Sequence, residues 1–554
     1  MRRTMTATDA LAETHLQETI VRSPTFATQL GISSDAYDDF SPAGLAARAD
    51  LARTTLATLE KIEPVDSTDR VTASALCERL GLEIEMHEAH TDLASLNGIV
   101  SGLHAIQECY DLMATDTDED WAVVARRLHR IPEAVDGWFA SQLAAVEYGI
   151  RPAARQVTTL VEQVAGWIAP DGYFDRFIAS AGDRPKGLAE DLASGLASAR
   201  QGFRSAVDRL RGELGPLATE VDGVGRERYL LASREFLGTT INIDETYEWG
   251  LAEVAKVQAE QRTTAGKIVA GGSVADAMAA LDADPRYRLN STAELQRWMQ
   301  TRADEAIARL VDGGHFVIPE QLRRIDCRIA DTTSGGIYYT SPSEDFSRPG
   351  TMWWSVPLGV TSFTTWRELT TVYHEGAPGH HLQHAFAMAN QDLNRWRQNG
   401  VWVSGHGEGW ALYAERLMAE LGFLDDPGMY MGLLDSQALR ATRVVLDIGV
   451  HCGLPAPGEV GGGAWTFEKA WEYFNSHVSM PEANARFEVL RYFGWPGQAP
   501  SYRIGEQRWL DLREQARAAA GDGFDLTEFH SRALSLGALG LDTLTEAVLE
   551  QPRR

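Results

Sequence analysis

The chain has 554 residues, long enough for one large domain or for about two to four ordinary ones. Hydrophobic residues make up 44% of it and charged residues 23%, which is typical of a globular protein with a sizeable buried core. The formal net charge of −27 argues against nucleic acid and against a membrane surface as partners, because both are usually anionic.

The N-terminal segment, MRRTMTATDALAETHLQE, carries basic residues but no apolar run behind them, which is not the pattern of a secretory signal. No apolar stretch further along approaches the roughly 20 residues that a transmembrane helix needs. The four cysteines are scattered without C-x-x-C spacing, which is typical of reduced thiols. Together these features predict a cytoplasmic protein.

Residues 41–310 are predicted to form a succession of amphipathic helices. The first opens with Ser41 as its N-cap, followed by a proline at the first helical position. Segment 118–149 has apolar residues three and four apart, with an expected kink at Pro132. Segment 244–272 predicts another long helix, which is expected to stop at a glycine pair.

A small sheet is predicted from residue 314 onward. Four short segments are rich in β-branched or aromatic residues and are separated by turn residues, namely HFVIP, RRIDCRIA, GGIYYTSP and GTMWWSVP. The last two are expected to pair, and helical periodicity returns at 366. The sequence therefore predicts a mainly α-helical protein with one small sheet built from 314–356. We expect an N-terminal helical region, 1–313, and a second region, 314–554, that form one continuous unit.

Histidines cluster in the second region. Five of the fourteen in the chain lie close together, at His374, His380, His381, His384 and His406. Imidazole and carboxylate are usual zinc ligands, and His374 is followed directly by Glu375, as in the pattern H-E-x-x-H. Here, however, the fourth residue after His374 is a proline. On an ideal helix His380 would be turned by about 120° from His374, and His381 would lie about 10 Å further along.

The intervening residues, Gly376-Ala377-Pro378-Gly379, predict a break in this helix. Pro378 lacks a backbone donor and would clash with the carbonyl group of His374, and the two glycines tolerate tight or left-handed backbone. Such a break can bring His380 back beside His374. His381 is the alternative ligand.

A third ligand is expected on a later helix, SGHGEGWALYAERLMAE, at 404–420. Glu408 follows His380 by 28 residues and can supply a carboxylate oxygen. Glu415 lies two turns further along the same face, where it can orient a ligand histidine.

The combination of HEGAPGHHLQ, GEGWALYAE and PGQAPSYRIG resembles a bacterial family called domain of unknown function 885, over most of the chain. The H-E…G-H pattern with two spaced glutamates is also similar to helical zinc peptidases: thimet oligopeptidase, the carboxypeptidase Taq family and angiotensin-converting enzyme. This second resemblance implies a large helical fold with a deep cleft, zinc on His374, His380 and Glu408, and Glu375 as the general base. Two residues inserted before G-H, relative to H-E-x-G-H, leave His381 as the substitute for His380.

The resemblance also implies a C-terminal tyrosine that stabilises the oxyanion formed during hydrolysis. The segment RYFGWPGQAPSYRIG offers Tyr502 and, as a second choice, Tyr492. Further candidates for contacts behind the ligands or with the substrate are Glu415, His381, His406, Asp447 and His451.

The implied function is a zinc-dependent metallopeptidase, of carboxypeptidase or oligopeptidase type, that hydrolyses short peptides with one zinc ion or another divalent metal. The strand GTMWWSVP or its partner GGIYYTSP is expected to align the peptide by strand addition. Two alternatives are a zinc-dependent amidase acting on a small molecule and a catalytically inactive helical binding protein. A second H-E pair, in His87-Glu88-Ala89-His90, has no downstream partner and is interpreted as a solvated helix face. The sequence leaves the oligomeric state open.

Overall fold

The computed structural model describes residues 3–330, 336–343 and 345–550. Within them the chain is mainly α-helical with few strands, as the sequence predicts. The helices are α1 Ala7–Arg22, α2 Pro24–Gln29, α3 Pro42–Leu59, α4 Ser67–Glu88, α5 Gly102–Glu108, α6 Asp118–His129, α7 Ile131–Glu147, α8 Ala154–Trp167, α9 Tyr173–Ala179, α10 Lys186–Arg209, α11 Arg226–Leu237, α12 Ile243–Ile268, α13 Val274–Ala283, α14 Thr292–Asp312, α15 Thr365–Glu375, α16 His380–Ala389, α17 Ser404–Glu420, α18 Pro427–Cys452, α19 Phe467–His477, α20 Glu482–Tyr492, α21 Ser501–Ala520, α22 Leu526–Ser535 and α23 Leu541–Leu549. The strands are β1 Arg288–Leu289, β2 Ile325–Ile329, β3 Ile337–Thr340, β4 Gly350–Trp354 and β5 Phe363–Thr364.

The predicted small sheet has three strands in the order β2-β4-β3. β2 runs parallel to β4, and β3 pairs antiparallel with β4, with Tyr339 opposite Met352. The expected pairing of GGIYYTSP with GTMWWSVP is therefore confirmed, apart from Gly335, which lies outside the described residues. Because β4 is flanked on both sides, it has no free edge in this sheet. Strand addition to GTMWWSVP is therefore ruled out, whereas addition to its partner GGIYYTSP stays a prediction, because β2 and β3 are the edge strands of this sheet among the described residues.

The segment HFVIP is not a strand, contrary to the prediction. Residues 315–319 form an irregular connection after α14, and Phe316 is buried there with its ring stacked on that of His530 at 4.8 Å. The apolar character of HFVIP thus reflects core packing. A separate antiparallel pairing joins β1 to β5. The sequence did not predict it, because two-residue strands are too short for an alternating pattern.

The helix boundaries in the structure differ most from the predicted ones at Pro132. Ser41 caps α3 as expected, because its side chain accepts a hydrogen bond from the backbone N–H of Gly44 at 3.3 Å. Segment 118–149 contains two helices, α6 and α7, and not one kinked helix. The chain breaks at Arg130, and Pro132 occupies the first turn of α7, where its missing N–H costs no helical hydrogen bond. α12 ends shortly before the glycine pair expected to stop it.

Apolar packing forms a main core and a second large core. The main core includes side chains from α1, α3 and α4 and from most elements between α11 and α23, so both ends of the described chain pack into the same unit. The second core lies between Leu96 and Leu214, in and around α5 to α10. A cavity lined by residues of both cores lies between them, in keeping with the deep cleft that the resemblance implies.

Five helices surround the histidine cluster, namely α15, α16, α17, α18 and α21. α15 packs on α17 and α18, and α17 packs on α21. The crossing of α17 and α21 is close, since a Cβ atom on Gly409 would lie 2.5 Å from the backbone of Gly505. A side chain at either position would force the two helices apart. The glycines of GEGW and YRIG thus bring Glu408 close to the start of α21.

None of the described helices combines the length and apolar character required to cross a bilayer. The four cysteines are all free, as predicted. Cys77 is exposed, and the other three are buried.

Candidate metal centre

Three predicted ligands converge in the structure. Side-chain nitrogen atoms of His374 and His380 and a carboxylate oxygen of Glu408 all lie within 4.8 Å of one another. His374 lies in the last turn of α15, His380 begins α16, and Glu408 lies in α17. Both histidines are buried. Each of three helices therefore supplies one ligand atom to the same point.

The distances between these atoms fit a tetrahedral ion. Nε2 of His374 lies 3.2 Å from Oε2 of Glu408, and Nε2 of His380 lies 3.4 Å from the same oxygen. Ligand atoms that bind a tetrahedral zinc ion at about 2.0–2.1 Å are about 3.3–3.4 Å apart. Two imidazole nitrogens and one carboxylate also form a ligand set that leaves a fourth position open. The residues present therefore fit a catalytic zinc ion.

The predicted break between His374 and His380 is present. α15 ends just after His374, and α16 begins at His380. A Cβ atom on Gly379 would lie 1.9 Å from the carbonyl oxygen of His374, so this approach requires glycine. Trp410 of α17 donates its Nε1–H to the carbonyl oxygen of Pro378 at 2.8 Å, which fixes the connection. The glycines act through this close approach, since neither adopts left-handed dihedrals.

His381 points away from the cluster. Its Nε2–H donates to the carbonyl oxygen of Leu322 at 2.8 Å, and its Nδ1 accepts from the hydroxyl of Tyr339 at 2.9 Å. Both ring nitrogens are therefore engaged elsewhere. The structure therefore brings His380, and not His381, to the other two ligand residues.

Each ligand histidine is oriented through its other ring nitrogen. Nδ1–H of His374 donates to Glu415 at 2.8 Å, and Nδ1–H of His380 donates to the side-chain oxygen of Gln383 at 3.1 Å. Glu415 in turn accepts hydrogen bonds from two hydroxyl groups. These contacts fix the tautomers and leave both Nε2 atoms facing Glu408. The sequence indicated Glu415 but not Gln383, which shares a turn of α16 with His380.

The charged groups of the cluster shift one another's pKa values. Burial lowers the pKa of His374, but hydrogen bonds to Glu408 and Glu415 outweigh burial and raise the pKa to about 10. A similar balance, with Glu408 as the main partner, raises the pKa of His380. Burial raises the pKa of Glu408, yet the two histidines bring it well below its usual range. The protons held here are those that a cation would replace, because a metal ligand must be deprotonated.

Glu375 and Tyr502 lie beside the ligands. Glu375 is 7% exposed, and burial raises the pKa of its carboxyl group against the opposing charges of His380 and His374. Burial also raises the pKa of Tyr502, and the next contribution comes from the charge of Glu408. Neither side chain makes a hydrogen bond to any residue that the structure describes. Both are therefore free to act on a bound molecule.

Three arginines that the sequence alone did not indicate surround Tyr502. The guanidinium carbons of Arg440, Arg443 and Arg491 lie 5.9, 4.8 and 6.0 Å from the centre of its ring. Arg443 and Arg491 share one carboxylate, that of Glu488, at 2.9 and 3.3 Å. Glu488 therefore pairs with two of the three arginines.

Arg440 is the arginine of this group without an ion pair among the described residues. Its Nη1 lies 3.5 Å from the carbonyl oxygen of Ser436, and its Nε is buried without a partner. Burial raises the pKa of Glu375, and the charge of Arg440 opposes this rise; the same charge helps to lower the pKa of Glu415. The sequence signal for this residue is a pair of arginines three apart, in ALRATRVV, on a helix whose residues are mostly buried.

Two other predicted residues are committed to the core. The hydroxyl of Tyr492 donates to Glu488 and accepts from Nε of Arg443, and its side chain is fully buried. His406 is 1% exposed and packs edge-on against Trp509 at 5.4 Å. The structure does not bring either of them to the ligand atoms.

Asp447 and His451 do not pair with each other. Oδ1 of Asp447 accepts from the hydroxyl of Tyr229 at 2.6 Å and from the backbone N–H of Gly497 at 2.9 Å. Asp447 therefore anchors the turn that leads into Tyr502. His451 lines the cavity, and neither of its ring nitrogens has a partner within 3.5 Å among the described residues.

Comparison with known proteins identifies the family but no activity. Residues 24–548 match the family described as "Bacterial protein of unknown function (DUF885)", and no curated protein matches the chain significantly. The crystal structure of the "putative lipoprotein" from Colwellia psychrerythraea is 23% identical, with 98% of each chain covered and a TM-score of 0.84. A "putative lipoprotein of unknown function" from Shewanella oneidensis is 17% identical, with 98% of this chain and 100% of that chain covered and a TM-score of 0.76. These likenesses show a shared fold, and the match over nearly the whole sequence shows that the chain belongs to the DUF885 family.

Proposed function

We propose that this protein is a metal-dependent hydrolase, namely a zinc metallopeptidase of carboxypeptidase or oligopeptidase type that acts on short peptides. The observation that carries the proposal is the convergence of His374, His380 and Glu408 beside the free carboxylate of Glu375. A binding protein has no use for an unpartnered carboxylate at this point. The resemblance to helical zinc peptidases adds support.

His374, His380 and Glu408 would hold the ion. When bound, zinc or another divalent metal supplies a Lewis acid for the carbonyl group and lowers the pKa of water to about 7. Glu415 and Gln383 keep the two imidazole rings in the tautomer that presents Nε2.

Glu375 is proposed to move the proton. Its carboxylate accepts a proton from the attacking water and returns it to the leaving amine. Burial in this site raises the pKa of Glu375, which makes the carboxylate a stronger base than one in water. Its freedom from other hydrogen bonds leaves it able to turn between the two positions.

Tyr502 and Arg440 are proposed to stabilise the negative charge that develops on the carbonyl oxygen. The hydroxyl of Tyr502 has no other partner among the described residues, and Arg440 adds a positive charge beside it. Hydrogen-bond donors fixed in a site of low water content are among the largest contributors to acyl-transfer rates. Asp447 holds the turn before Tyr502 and thereby positions it.

Element analysis of the purified protein, together with digestion of a peptide library read by mass spectrometry, tests the proposal. Wild type should carry one divalent ion per chain and cleave peptides. Glu375→Gln should keep the ion and cleave at least about 100-fold more slowly. Cleavage of small amides without peptides would favour the amidase. Protein without a metal and without any cleavage would favour the binding protein and refute the proposal.

A further inference from the structure

A cavity of about 930 Å³ lies beside the metal centre. Its size is at the upper end of the range for small-molecule sites, about 300–1,000 Å³. Six aromatic side chains contribute to its wall, namely Phe40, Trp138, Phe236, Trp402, Phe493 and Trp495. The rest of the wall combines apolar side chains with many polar and charged ones.

Trp402 connects this cavity to the metal centre. Its indole lines the cavity and is 48% exposed, although tryptophan is usually well buried. The same ring stacks on His384, with centroids 5.6 Å apart and planes 9° apart, and lies 6.1 Å from the ring of His380. The ligand residues themselves do not line the cavity. Trp402 therefore belongs both to the cavity wall and to the surroundings of the ligand histidine His380.

Arg228, in the first turn of α11, supplies an unpaired cation to the wall. It makes no ion pair or hydrogen bond to the described residues, and its Nε is buried without a partner. Burial lowers its pKa, and no carboxylate offsets this effect. A partly buried guanidinium without an anion is costly, because charges removed from water need a partner. His451, which also lines the cavity, is its neighbour.

Several other charged groups of the wall have partners, among them Asp92 with His87 and Asp222 with Arg155. Arg48 and Arg79 pair with carboxylates outside the cavity lining. Glu83 has no ion pair, but its electrostatic neighbours include Arg48, and burial raises its pKa to about 7. Glu235 is exposed and has Arg79 as its neighbouring cation. Arg228 is thus a partly buried cation of the wall that pairs with no carboxylate among the described residues, whereas Arg151, which also lines the cavity, is exposed.

We propose that this cavity binds the part of a short peptide substrate that extends from the metal centre past Trp402, with a substrate carboxylate paired to Arg228. The inference rests on the proposed function and specifies its substrate class: short, partly apolar peptides that carry an acidic group. A terminal carboxylate and an acidic side chain offer the same chemistry to a guanidinium group, which binds either through two parallel hydrogen bonds.

Calorimetric binding to the zinc-loaded Glu375→Gln protein tests this inference without turnover. The probes are acetyl-Ala-Ala-Phe as the free acid and as the C-terminal amide, and acetyl-Ala-Asp-Phe-amide beside its Asn counterpart. Preference for the free acid over its amide assigns a terminal carboxylate, and preference for Asp over Asn assigns a side chain. Adding Arg228→Met should weaken binding of the preferred acid at least about tenfold and leave its neutral counterpart unchanged.

Arg262→Met is the matched control, because Arg262 is exposed on α12, outside the cavity lining, and its loss changes the net charge equally. It should leave all affinities unchanged.

Arg228→Lys should give an intermediate affinity, and Trp402→Ala should weaken charged and neutral probes alike. Equal affinities for Arg228→Met and its parent, equal losses with Arg262→Met, or no binding of any probe would overturn the inference. If wild type and the Arg228→Met variant cleave peptides equally fast, this inference alone is refuted. If binding depends on Arg228 but wild type cleaves no peptide, only the proposed function is refuted.

Discussion

Two segments of this chain begin with the same His-Glu pair, but the two pairs lie in different surroundings. His87 and Glu88 end α4, where Nδ1 of His87 pairs with Asp92 at 2.7 Å. His90, just beyond, stacks on Tyr148 at 3.5 Å. No group of potential ligands forms at this segment within the described chain. The interpretation of HEAH as a solvated helix face stays a prediction, and the side chain of His87 is 22% exposed.

At the second pair, three helices converge. His374 is 5% exposed at its side chain, against 22% for His87, and its two ring nitrogens face two different carboxylates, those of Glu415 and Glu408. The contrast shows that the letters H-E do not make a metal site. Ligand geometry comes from a second helix that crosses close by and from groups that fix each imidazole ring.

The largest expected effect is that of Glu408→Ala. We expect metal content to fall from roughly one ion per chain to below about a tenth, because only two ligand atoms remain. The matched control is Glu88→Ala, which removes the glutamate of the other pair and should leave the ion in place. Element analysis after dialysis measures both. If the Glu408→Ala variant kept its full metal content, Glu408 would not be a ligand, and the two His-Glu segments would no longer differ in this respect.

A comparable but more selective effect is expected from the two adjacent histidines. His380→Ala should lose the ion, whereas His381→Ala should keep it, because Nε2 of His381 is bonded to Leu322 and its Nδ1 to Tyr339. His381→Ala should instead lower the free energy of unfolding by about 2–3 kcal/mol, since two buried hydrogen bonds are lost. Metal analysis and denaturant unfolding measure the two effects. The reverse pattern would assign the ligand to His381.

Glu415→Gln is expected to have a smaller effect. The amide oxygen can still accept from Nδ1–H of His374, but the negative charge behind the ring is lost. Metal affinity should fall about 10–100-fold, as for other residues that orient a ligand histidine. The hydroxyls of Thr370 and Ser436, which donate to Glu415, can turn to accept from the new amide. Competition with a chelator of known affinity measures the change, and an unchanged affinity would show that Glu415 does not orient the ring.

The part of this structure that the sequence predicts best is the part governed by local backbone chemistry. Pro378 and two glycines indicated the helix break, and apolar spacing indicated the helical character of the chain. The strand predicted for HFVIP was wrong, because an apolar run indicates burial and does not by itself determine the backbone conformation. The sequence also could not place Pro132 at a helix start, since a proline there and a proline at a kink look alike in the sequence.

The candidate site was predicted where its residues lie on regularly spaced helices. Arg440 and Trp402 were not indicated, because each reaches the site through packing between segments distant in sequence. Asp447 was indicated for a different contact: it holds Gly497 and does not face His451. Such roles depend on which helices cross, and spacing along one helix does not contain that information.

The smallest expected effect is that of His87→Ala. The pair between His87 and Asp92 is partly exposed, with 22% and 21% of the two side chains accessible, and exposed pairs contribute about 0–1 kcal/mol. We therefore expect a change of less than about 1 kcal/mol in the free energy of unfolding and no change in metal content. His374→Ala, made in parallel, should lose the ion, because it removes a proposed ligand whose ring Glu415 holds in place. Denaturant unfolding and element analysis on both variants compare the segments directly. Metal loss in His87→Ala would mean that the HEAH segment contributes to an ion site, and the distinction between the two His-Glu pairs would then be wrong.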